Sequence, residues 1–426
     1  MDATSCLTWV IFAATYAGLA LGRVPGLRMD RAGIAMVGAT LVLVTRVLTL
    51  DQAFGPASID FKTLLLLFGM MIVCGALRLS GFFARLVGLA LRHLVTPKGL
   101  LALTIGLSGV LSAFLINDVI CVALTPLVLH LARRLKFDPL PHLIGLATAA
   151  NVGSTGTITG NPQNIYIGVH SGISYFRFAA RLMPVAMLGL VVTYFVIVLL
   201  CRDRLAVPKE GGSPGPGQSR AEENRGQRAR RGRAHARLQI KTSLVTLAAV
   251  ALFFIGLPLE LVALAAAALV LLDRIKPEKV YRQIDWSLLL MFTGLFIVVH
   301  AFQVHVVAGW GIERWTWLLK RPAESLSLVS AALSNVVSNV PAVLLLEPVA
   351  RAAAGPARET AWLALAMSST LAGNLTVLGS VANLIVVEQA RREGVRVSFR
   401  DYCKVGVPLT LITLLLGIAW LEFVRY

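Results

Sequence analysis

Ten long apolar segments run through the 426-residue chain. An α-helix needs about 20 mainly apolar residues to cross the hydrocarbon core of a bilayer, and somewhat fewer when its flanks reach the interface. Charged residues make up 15% of the chain, against roughly 25% in an ordinary soluble domain. The sequence therefore predicts an all-α polytopic membrane protein. The predicted spans are residues 7–22, 32–50, 63–79, 140–170, 182–201, 242–257, 261–272, 286–302, 361–387 and 405–421.

Two further apolar stretches, 100–131 and 325–346, have a polar break in the middle. We expect each of them to be a re-entrant helical hairpin that enters and leaves the membrane on one side. Irregular backbone at that depth has to be buried in protein or to line a wet cavity. The two predicted hairpin tips are Ile116-Asn117-Asp118 and Ser338-Asn339-Val340-Pro341.

Lysine and arginine exceed aspartate and glutamate by 18. These basic residues lie between apolar blocks and form no single basic face, so nucleic-acid binding is not expected. They gather in alternate connections, for example at 133–136 and 391–400. The positive-inside rule places such connections in the cytoplasm. We therefore predict a multi-pass protein of the bacterial cytoplasmic (inner) membrane whose N- and C-termini both lie outside.

The largest basic block lies within residues 202–238, and its centre is rich in proline, glycine and serine. Such a composition cannot build a hydrophobic core. We expect a disordered cytoplasmic linker close to anionic lipid headgroups. It separates a first repeat, residues 1–201, from a second repeat, residues 239–426.

The two halves share three sequence patterns in the same order. Those around 60–65, 111–117 and 155–164 recur around 285–289, 333–339 and 374–383. Each half has five predicted crossings and one hairpin, and an odd number of crossings turns the second half upside down relative to the first. This arrangement is typical of secondary transporters built from inverted-topology repeats.

Such carriers bind their substrate near the membrane midplane, where interrupted helices leave backbone groups free to face a ligand. Runs of small polar residues interrupt two of the predicted spans, at 153–162 and 373–380. Small residues can also serve only to let helices pack closely. The predicted substrate- and ion-binding residues are Asn117, Asp118, Gly153, Ser154, Thr155, Thr157, Thr159, Gly160, Asn161, Asn164, Ser338, Asn339, Asn374, Thr376, Gly379, Ser380 and Asn383. Sodium is a candidate ligand of the tip pairs Asn117/Asp118 and Ser338/Asn339.

Asp118 is the one acid that the sequence places clearly inside an apolar interior, whereas Glu347 falls at a segment end. A charge at the bilayer centre costs at least about 2.5–3.5 kcal/mol on insertion scales, so its presence needs a reason. We expect Asp118 to exchange a proton or to neutralise a bound cation. The structural alternative is an N-cap for the second helix of the hairpin.

Enzymatic chemistry is not expected. The five cysteines form no CxxC pair, no HExxH motif occurs, and one core aspartate is too few for an aspartyl protease. No GxxxxGK[ST] motif for ATP is present either. The one predicted cofactor is therefore the coupling ion, a proton or sodium.

The first hairpin, Leu111-Ser112-Ala113-Phe114-Leu115-Ile116-Asn117-Asp118 followed by Leu124-Thr125-Pro126, resembles the arsenite permease and sodium/proton antiporter branch of the ion transporter superfamily, which includes citrate-transporter-like domains. The paired segments 159–164 and 378–383 resemble uncharacterised anion permeases of that branch. The resemblance covers residues 7–424. It implies a scaffold domain and a transport domain in each protomer, with the substrate between hairpin tips and broken helices. It also implies a homodimer and an elevator movement.

We therefore expect a secondary active transporter of a small anion or oxyanion that is coupled to an ion and works by alternating access. Two alternatives stay open within the carriers. One is a sodium/proton antiporter, and the other is an arsenite efflux permease that works with a separate ATPase. A channel would need a continuous lining in place of two mirrored broken sites.

Overall fold

The computed structural model describes residues 2–21, 29–90, 96–206, 225–273, 276–307 and 316–424. Helices and the turns between them make up this part of the chain, and no β-strand occurs in it. The first ten helices are α1 (Ala3–Leu21), α2 (Arg31–Val44), α3 (Leu50–Phe54), α4 (Phe61–Leu79), α5 (Phe82–Ala90), α6 (Pro97–Phe114), α7 (Asn117–Arg134), α8 (Pro139–Ser154), α9 (Pro162–Ser171) and α10 (Tyr175–Leu200).

The second half repeats this order of long and short helices. Its described helices are α11 (Arg225–Ile255), α12 (Leu259–Leu271), α13 (Pro277–Tyr281), α14 (Trp286–Phe302), α15 (Thr316–Lys320), α16 (Pro322–Val337), α17 (Asn339–Ala352), α18 (Pro356–Ala372), α19 (Val381–Arg392) and α20 (Phe399–Phe423). A π-helical turn, Gln303–Val307, extends α14.

Seven described helices have the length and the apolar composition that a membrane crossing requires. They are α1, α4, α6, Ala236–Ile255 of α11, α10, α14 with its π turn, and α20. The apolar helices α2 and α12 are shorter, with 14 and 13 residues. The predicted helical multi-pass membrane fold is confirmed. Helix α6 belongs to the first predicted hairpin, although its 18 residues would suffice for a crossing.

The four predicted interruptions are present. In the first hairpin, α6–α7, the residues Leu115 and Ile116 are extended and join the two helices. In the second hairpin, α16–α17, Ser338 alone makes the turn, with φ 81° and ψ 162°. A residue other than glycine pays about 1–3 kcal/mol for this backbone conformation. The second tip is therefore the tighter of the two.

Each of the two broken helices, α8–α9 and α18–α19, contains a short 3₁₀ turn between its parts, Ile158–Gly160 and Val377–Gly379. Helix α9 begins where it does because the Asn161 side chain accepts a hydrogen bond from the backbone N–H of Asn164, at 2.9 Å. Pro162 follows as the first helical residue, where no N–H is needed.

The linker prediction is wrong for residues 225–238, which belong to α11 and continue into an apolar span. Arginine, alanine and glutamine are good helix formers, so this basic segment extends the helix that follows it. Residues 202–205 form a 3₁₀ turn, and residues 207–224 lie outside the described part of the chain. The division into two repeats stays a prediction.

The helices pack as two groups. One group contains both hairpins, both broken helices, α10 and α20, and the other contains α1, α2, α4, α11, α12 and α14. Within the second group, Gly69 lies against the backbone of Ala263 and Gly294 against that of Ala35. A Cβ atom at either glycine would come within 2.7 Å of a backbone atom. Each glycine lies nine residues after the aspartate that caps its helix, so the two contacts occupy corresponding positions of the halves.

Candidate functional site

Asn164 and Asn383 stabilise the interruptions of the two broken helices in the same way. Each side-chain amide donates to two backbone carbonyl oxygens that a break in the helix leaves free. The acceptors are Ser154 O (3.1 Å) and Thr157 O (3.0 Å) for Asn164, and Gly373 O (2.7 Å) and Thr376 O (3.1 Å) for Asn383. All three pairs of positions are separated by 219 residues. The two interruptions therefore have the same local structure.

The two broken helices also bond to each other. Asn161 Nδ2 in the first donates to Thr370 Oγ1 in the second, at 3.2 Å. Ser380 Oγ in the second donates to Asn151 Oδ1 in the first, at 3.0 Å. Asn161 corresponds to Ser380 and Asn151 to Thr370, again 219 positions apart. Such an exchange of equivalent bonds is what an approximate twofold relation between the halves produces.

Asn151 lies at the centre of this contact and is 1% exposed. Its Nδ2 donates to Asn374 Oδ1 (2.9 Å) and to Asn383 Oδ1 (3.0 Å). Its Oδ1 accepts from Asn117 Nδ2 at the first hairpin tip (3.1 Å), in addition to Ser380. One amide thus joins the first tip to both broken helices. We call the group Asn117, Asn151, Asn161, Thr370, Asn374, Ser380 and Asn383 the amide cluster.

The second hairpin is bonded to the second broken helix by two asparagines. With its amide oriented toward two carbonyl oxygens, Asn339 Nδ2 donates to Ser369 O (3.0 Å) and Gly379 O (3.3 Å). Asn335 Nδ2 donates to Ala372 O (3.1 Å). Both tips therefore end on the interrupted segments, as expected for a site between tips and breaks.

The second tip also contacts the other group of helices. Arg31 Nη1, at the start of α2, donates to Ser338 Oγ at 3.3 Å. The Tyr16 hydroxyl of α1 donates to Pro341 O at 3.2 Å. Among the described hydrogen bonds, the Arg31 contact is the one that brings a lysine or arginine side chain to a predicted site residue.

The threonines of the first interruption are directed toward the first hairpin. Thr157 donates through its hydroxyl to Ala113 O, and Thr159 Oγ1 donates to Phe114 O at 3.2 Å. A Cβ atom at Gly160 would lie 2.4 Å from a carbonyl oxygen, so only glycine fits there. These residues hold the hairpin against the break.

Three further predicted residues mainly support the backbone, although Ser154 Oγ also accepts from Asn161 Nδ2 of the cluster, at 3.0 Å. Ser154 Oγ and Thr155 Oγ1 both donate to the carbonyl oxygen of Asn151, at 2.9 Å and 3.2 Å. Gly153 packs against the backbone of Gly109, which a Cβ atom would approach to 2.1 Å. The close-packing role that small residues often have applies to Gly153.

Four buried side-chain oxygen atoms near the tips and breaks have no hydrogen-bond partner in the described protein. They are Ser112 Oγ, Asn164 Oδ1, Ser334 Oγ and Asn335 Oδ1. Ser112 and Ser334 occupy corresponding positions of the two hairpins. A buried polar atom without a partner costs about 1–3 kcal/mol, so polar groups left in this state are suited to bind a ligand.

The prediction that Asp118 is the one buried acid is wrong. Asp118 lies in the first turn of α7, whose N-cap is Ile116, and it is partly exposed. Glu347, assigned to a segment end, is 5% exposed and is the most buried carboxylate in the described part of the chain. The reason is that α17 continues to Ala352 and packs beside α9 and α14, which cover Glu347.

A cavity of about 920 Å³ lies beside Glu347. Its walls come from the α3–α4 connection, α9, α14 with its π turn and α17, and its polar lining includes Asp60, Tyr166, His170, Gln303, Glu347 and Arg351. We call it the vestibule. It extends along the C-terminal halves of α9 and α17, whose N-terminal ends carry Asn164 and Asn339. In the predicted orientation the vestibule opens to the outside.

The opposite face is closed. There α7 and α19, the counterparts of α17 and α9 in the other halves, pack closely against each other. Arg133 Nη1 pairs with Glu393 at 2.9 Å next to this contact. The two faces therefore differ, with a cavity on one side and packed helices on the other.

Most of the predicted site residues come together, but the sequence analysis missed two members of the amide cluster and two residues outside it. Asn151, Thr370, Asn335 and Glu347 were not predicted. A detectable signal existed for the first two, because they share the 219-residue spacing of Asn161 and Ser380. Apart from Asn117, the side-chain partners of Asn151 and Thr370 lie more than 200 positions away, and pairing at that distance is not visible in one sequence.

Residues 8–371 match the family described as citrate transporters. The silicon efflux transporter LSI3 of Oryza sativa subsp. japonica is 33% identical over 459 residues, which cover 93% of each protein. The inner membrane protein YbiR of Escherichia coli (strain K12) is 29% identical, with 85% of this chain and 88% of that protein aligned. A Dictyostelium discoideum transporter named arsB is 23% identical, with 92% of this chain and 87% of that protein aligned.

Among solved structures, MtrF of Neisseria gonorrhoeae is described as illuminating a class of antimetabolite efflux pumps. It superimposes with a TM-score of 0.56, covering 99% of this chain and 94% of that one. The sequence identity is 12%, so this similarity concerns the fold alone.

Proposed function

The chain belongs to the citrate transporter family, and from that premise we propose that it is a secondary active transporter of a small anion or oxyanion in the cytoplasmic membrane. The observation that carries the proposal is the set of buried, unpartnered oxygen atoms near the tips and breaks. They lie beside the amide cluster, where neutral donors and acceptors can replace the hydration of an oxygen-rich solute. The rice relative is named for silicon efflux, which is the transport of such a solute.

Ion coupling and alternating access are further parts of this proposal. The two groups of helices give a carrier two bodies that can move relative to each other, and an elevator movement of the hairpins and broken helices fits that division. A proton or sodium ion would bind at the Asn117/Asp118 tip, with Ser338/Asn339 as the second candidate. We further propose a homodimer, as in carriers of this kind.

Two other functions are retained because a specific observation favours each. Arsenite efflux with a separate ATPase is favoured by the similarity to the transporter named arsB. Sodium/proton antiport is favoured by the partly exposed Asp118 at the first tip. An enzymatic role has no such support, since the relatives reported above are named as transporters or membrane proteins.

The test is proton flux into proteoliposomes that contain a trapped pH dye, for wild type and Asp118→Asn. Sodium, arsenite, silicic acid, citrate, succinate, sulfate and phosphate are added in turn. We expect one oxygen-rich solute to move protons and Asp118→Asn to abolish the flux. A response to sodium alone would favour the antiporter. If folded protein moves neither protons nor any radiolabelled member of the panel, the proposed function is wrong for these solutes.

A further inference from the structure

Glu347 is placed where neither helix stability nor burial favours a carboxylate. It lies five residues before the end of α17, where a negative charge opposes the helix dipole. At 5% exposure it also bears the desolvation cost of a buried ion. The following Pro348 removes the backbone N–H that would bond to Leu344 O, which makes this wall of the vestibule still more polar. A position with these costs needs a functional reason.

The charge of Glu347 is balanced by Arg351, whose side chain extends toward water. Arg351 Nε forms an ion pair with Glu347 Oε1, one helical turn away. The Arg351 side chain is 52% exposed, whereas that of Glu347 is 7% exposed. The guanidinium can therefore turn into the water of the vestibule, but the carboxylate cannot follow it. A buried carboxylate that loses its cation keeps an unbalanced charge, which a proton can neutralise.

A second contact of Glu347 crosses between the two groups of helices. Gln303 Nε2, in the π turn after α14, donates to Glu347 Oε2 at 3.4 Å. The Tyr166 hydroxyl of α9 faces the same carboxylate. A movement of α9 and α17 together relative to α14 changes the Gln303 contact and keeps the Tyr166 contact. The environment of Glu347 is thus tied to the arrangement of the two groups.

From this geometry we infer that Glu347 is a proton-binding site of the transport cycle, at which the carboxylate exchanges Arg351 for a proton from the vestibule. The proton adds to the carboxylate, and Arg351 keeps its charge and turns toward the cavity. The site gains one positive charge, which an anionic solute entering the vestibule can balance. This inference rests on the proposed transport function and adds where a coupling proton binds.

Other charged or titratable groups line the same cavity and contribute to its net charge. Asp60 and His170 lie across the vestibule, with His170 Nδ1 at 3.6 Å from Asp60 Oδ2, and His300 lies on the α14 wall. Asp60 brings negative charge to this cavity. Arg351, and His170 or His300 when protonated, bring positive charge.

The first test measures protonation directly and needs no substrate. Full-length protein in lipid is titrated from high to low pH, and the infrared band of the protonated carboxyl group is recorded. We expect a band in wild type that Glu347→Gln lacks. The matched control is Glu359→Gln, because Glu359 also pairs with arginines, Arg177 and Arg181, but lies outside the vestibule. This control should keep the band.

A second variant keeps the inference testable if Glu347→Gln does not fold. In Arg351→Gln the carboxylate loses the cation that pairs with its charged form, so the band should develop at higher pH than in wild type. The inference is overturned if the Glu347-dependent band appears only where exposed carboxylates protonate, roughly pH 4 to 5. It is also overturned if Arg351→Gln leaves the band unmoved, which would identify a fixed ion pair.

The infrared experiment and the transport experiment test the two proposals independently. If the titration is as expected but wild type transports no member of the solute panel, the proposed function fails and the protonation site stands. If wild type transports a solute and Glu347→Gln keeps the full response to a pH gradient, Glu347 has no part in coupling. The expected result is that Glu347→Gln still exchanges labelled solute between equal pools but loses the at least tenfold stimulation by the gradient.

Discussion

Asn151 is satisfied at both ends of its side-chain amide, because Nδ2 donates twice and Oδ1 accepts twice. Its replacement by alanine leaves each buried partner short of one bond, at about 1–3 kcal/mol for a group that finds no substitute. We expect Asn151→Ala to reduce transport about tenfold or more and to lower the melting temperature in detergent. Uptake into proteoliposomes and a thermal melt measure the two effects.

The control for this variant is Ser108→Ala. Ser108 is as buried as Asn151 and bonds to helix α8, to which Asn151 belongs, through Leu146 O at 2.8 Å, but it lies within α6, before the hairpin tip. We expect Ser108→Ala to cost stability and to leave transport nearly unchanged. Transport that survives in Asn151→Ala would show that the amide cluster is not the transport site.

Gly160 is the residue at which a single methyl group should be decisive. A Cβ atom there would lie 2.4 Å from Ser154 O and 2.8 Å from Ser112 O, so the backbone of the break or of the hairpin has to move. We expect Gly160→Ala to abolish transport and to lower the yield of folded protein. Gly106→Ala is the control, because no heavy atom lies within 4 Å of its new methyl group. Equal behaviour of the two variants would contradict the close contact at the break.

At the residue scale, the polar side chains of apolar segments could be predicted as site residues. Burying a polar group is costly, so each of them needs a partner. Their partners could not be predicted. Asp118 was chosen from its place in the sequence, yet Glu347 is more buried because α9 and α14 pack over it. The depth of a side chain depends on neighbours that lie far away in sequence, so the residue type indicates a function better than it indicates a depth.

Among the structural elements, the second hairpin tip stores strain that the first does not. Ser338 has φ 81° and ψ 162°, a region that glycine alone adopts without cost, whereas Ile116 at the first tip has φ −60° and ψ 118°. We expect Ser338→Gly to be more stable than Ser338→Ala by about 1 kcal/mol or more. Both variants lose the hydroxyl that accepts from Arg31, so a thermal melt of the pair isolates the backbone effect.

Ile116→Gly is the counterpart at the first tip. Ile116 is 1% exposed and has ordinary backbone angles, so glycine there removes a buried side chain and relieves no strain. We expect this variant to be destabilised by about 2–5 kcal/mol, as for other large-to-small core changes. A stabilised Ile116→Gly, or a Ser338→Gly that is no better than Ser338→Ala, would contradict the difference between the tips.

The elements themselves were largely predictable because their signals are local. Apolar length predicted the helices, the small polar residues of 153–162 predicted the break before α9, and the polar tips predicted both hairpin turns. The start of α11 was not predictable in the same way. The same residue types occur in helices and in disordered basic segments. Composition therefore assigned residues 225–238 to a disordered linker, although they are helical.

On the scale of the whole molecule, the two faces are in different states. The vestibule is lined by α9 and α17, while their counterparts α19 and α7 are packed together. Arg133 and Glu393 at the packed face are about half exposed, and surface pairs of this kind contribute about 0–1 kcal/mol. The closed face can therefore open at little electrostatic cost, which suits a protein that exposes one site to each side in turn.

The orientation of these faces in the membrane is the last prediction, and two native thiols test it. Cys6 in α1 is exposed and Cys403 near the start of α20 is partly exposed, while Cys74, Cys121 and Cys201 are buried. With the N-terminus outside and the arginine-rich 391–400 connection inside, a membrane-impermeant maleimide should label Cys6 alone in intact bacterial cells. Cys6→Ser should abolish this labelling, and Cys403→Ser should not.

Permeabilised cells supply the control, because Cys403 should then react in Cys6→Ser. Labelling of intact cells that survives in Cys6→Ser and disappears in Cys403→Ser would reverse the orientation. The vestibule would then open to the cytoplasm, and Glu347 would take its proton from that side. Because a pH gradient acts through the side from which the proton arrives, the same experiment decides which direction of gradient should drive transport.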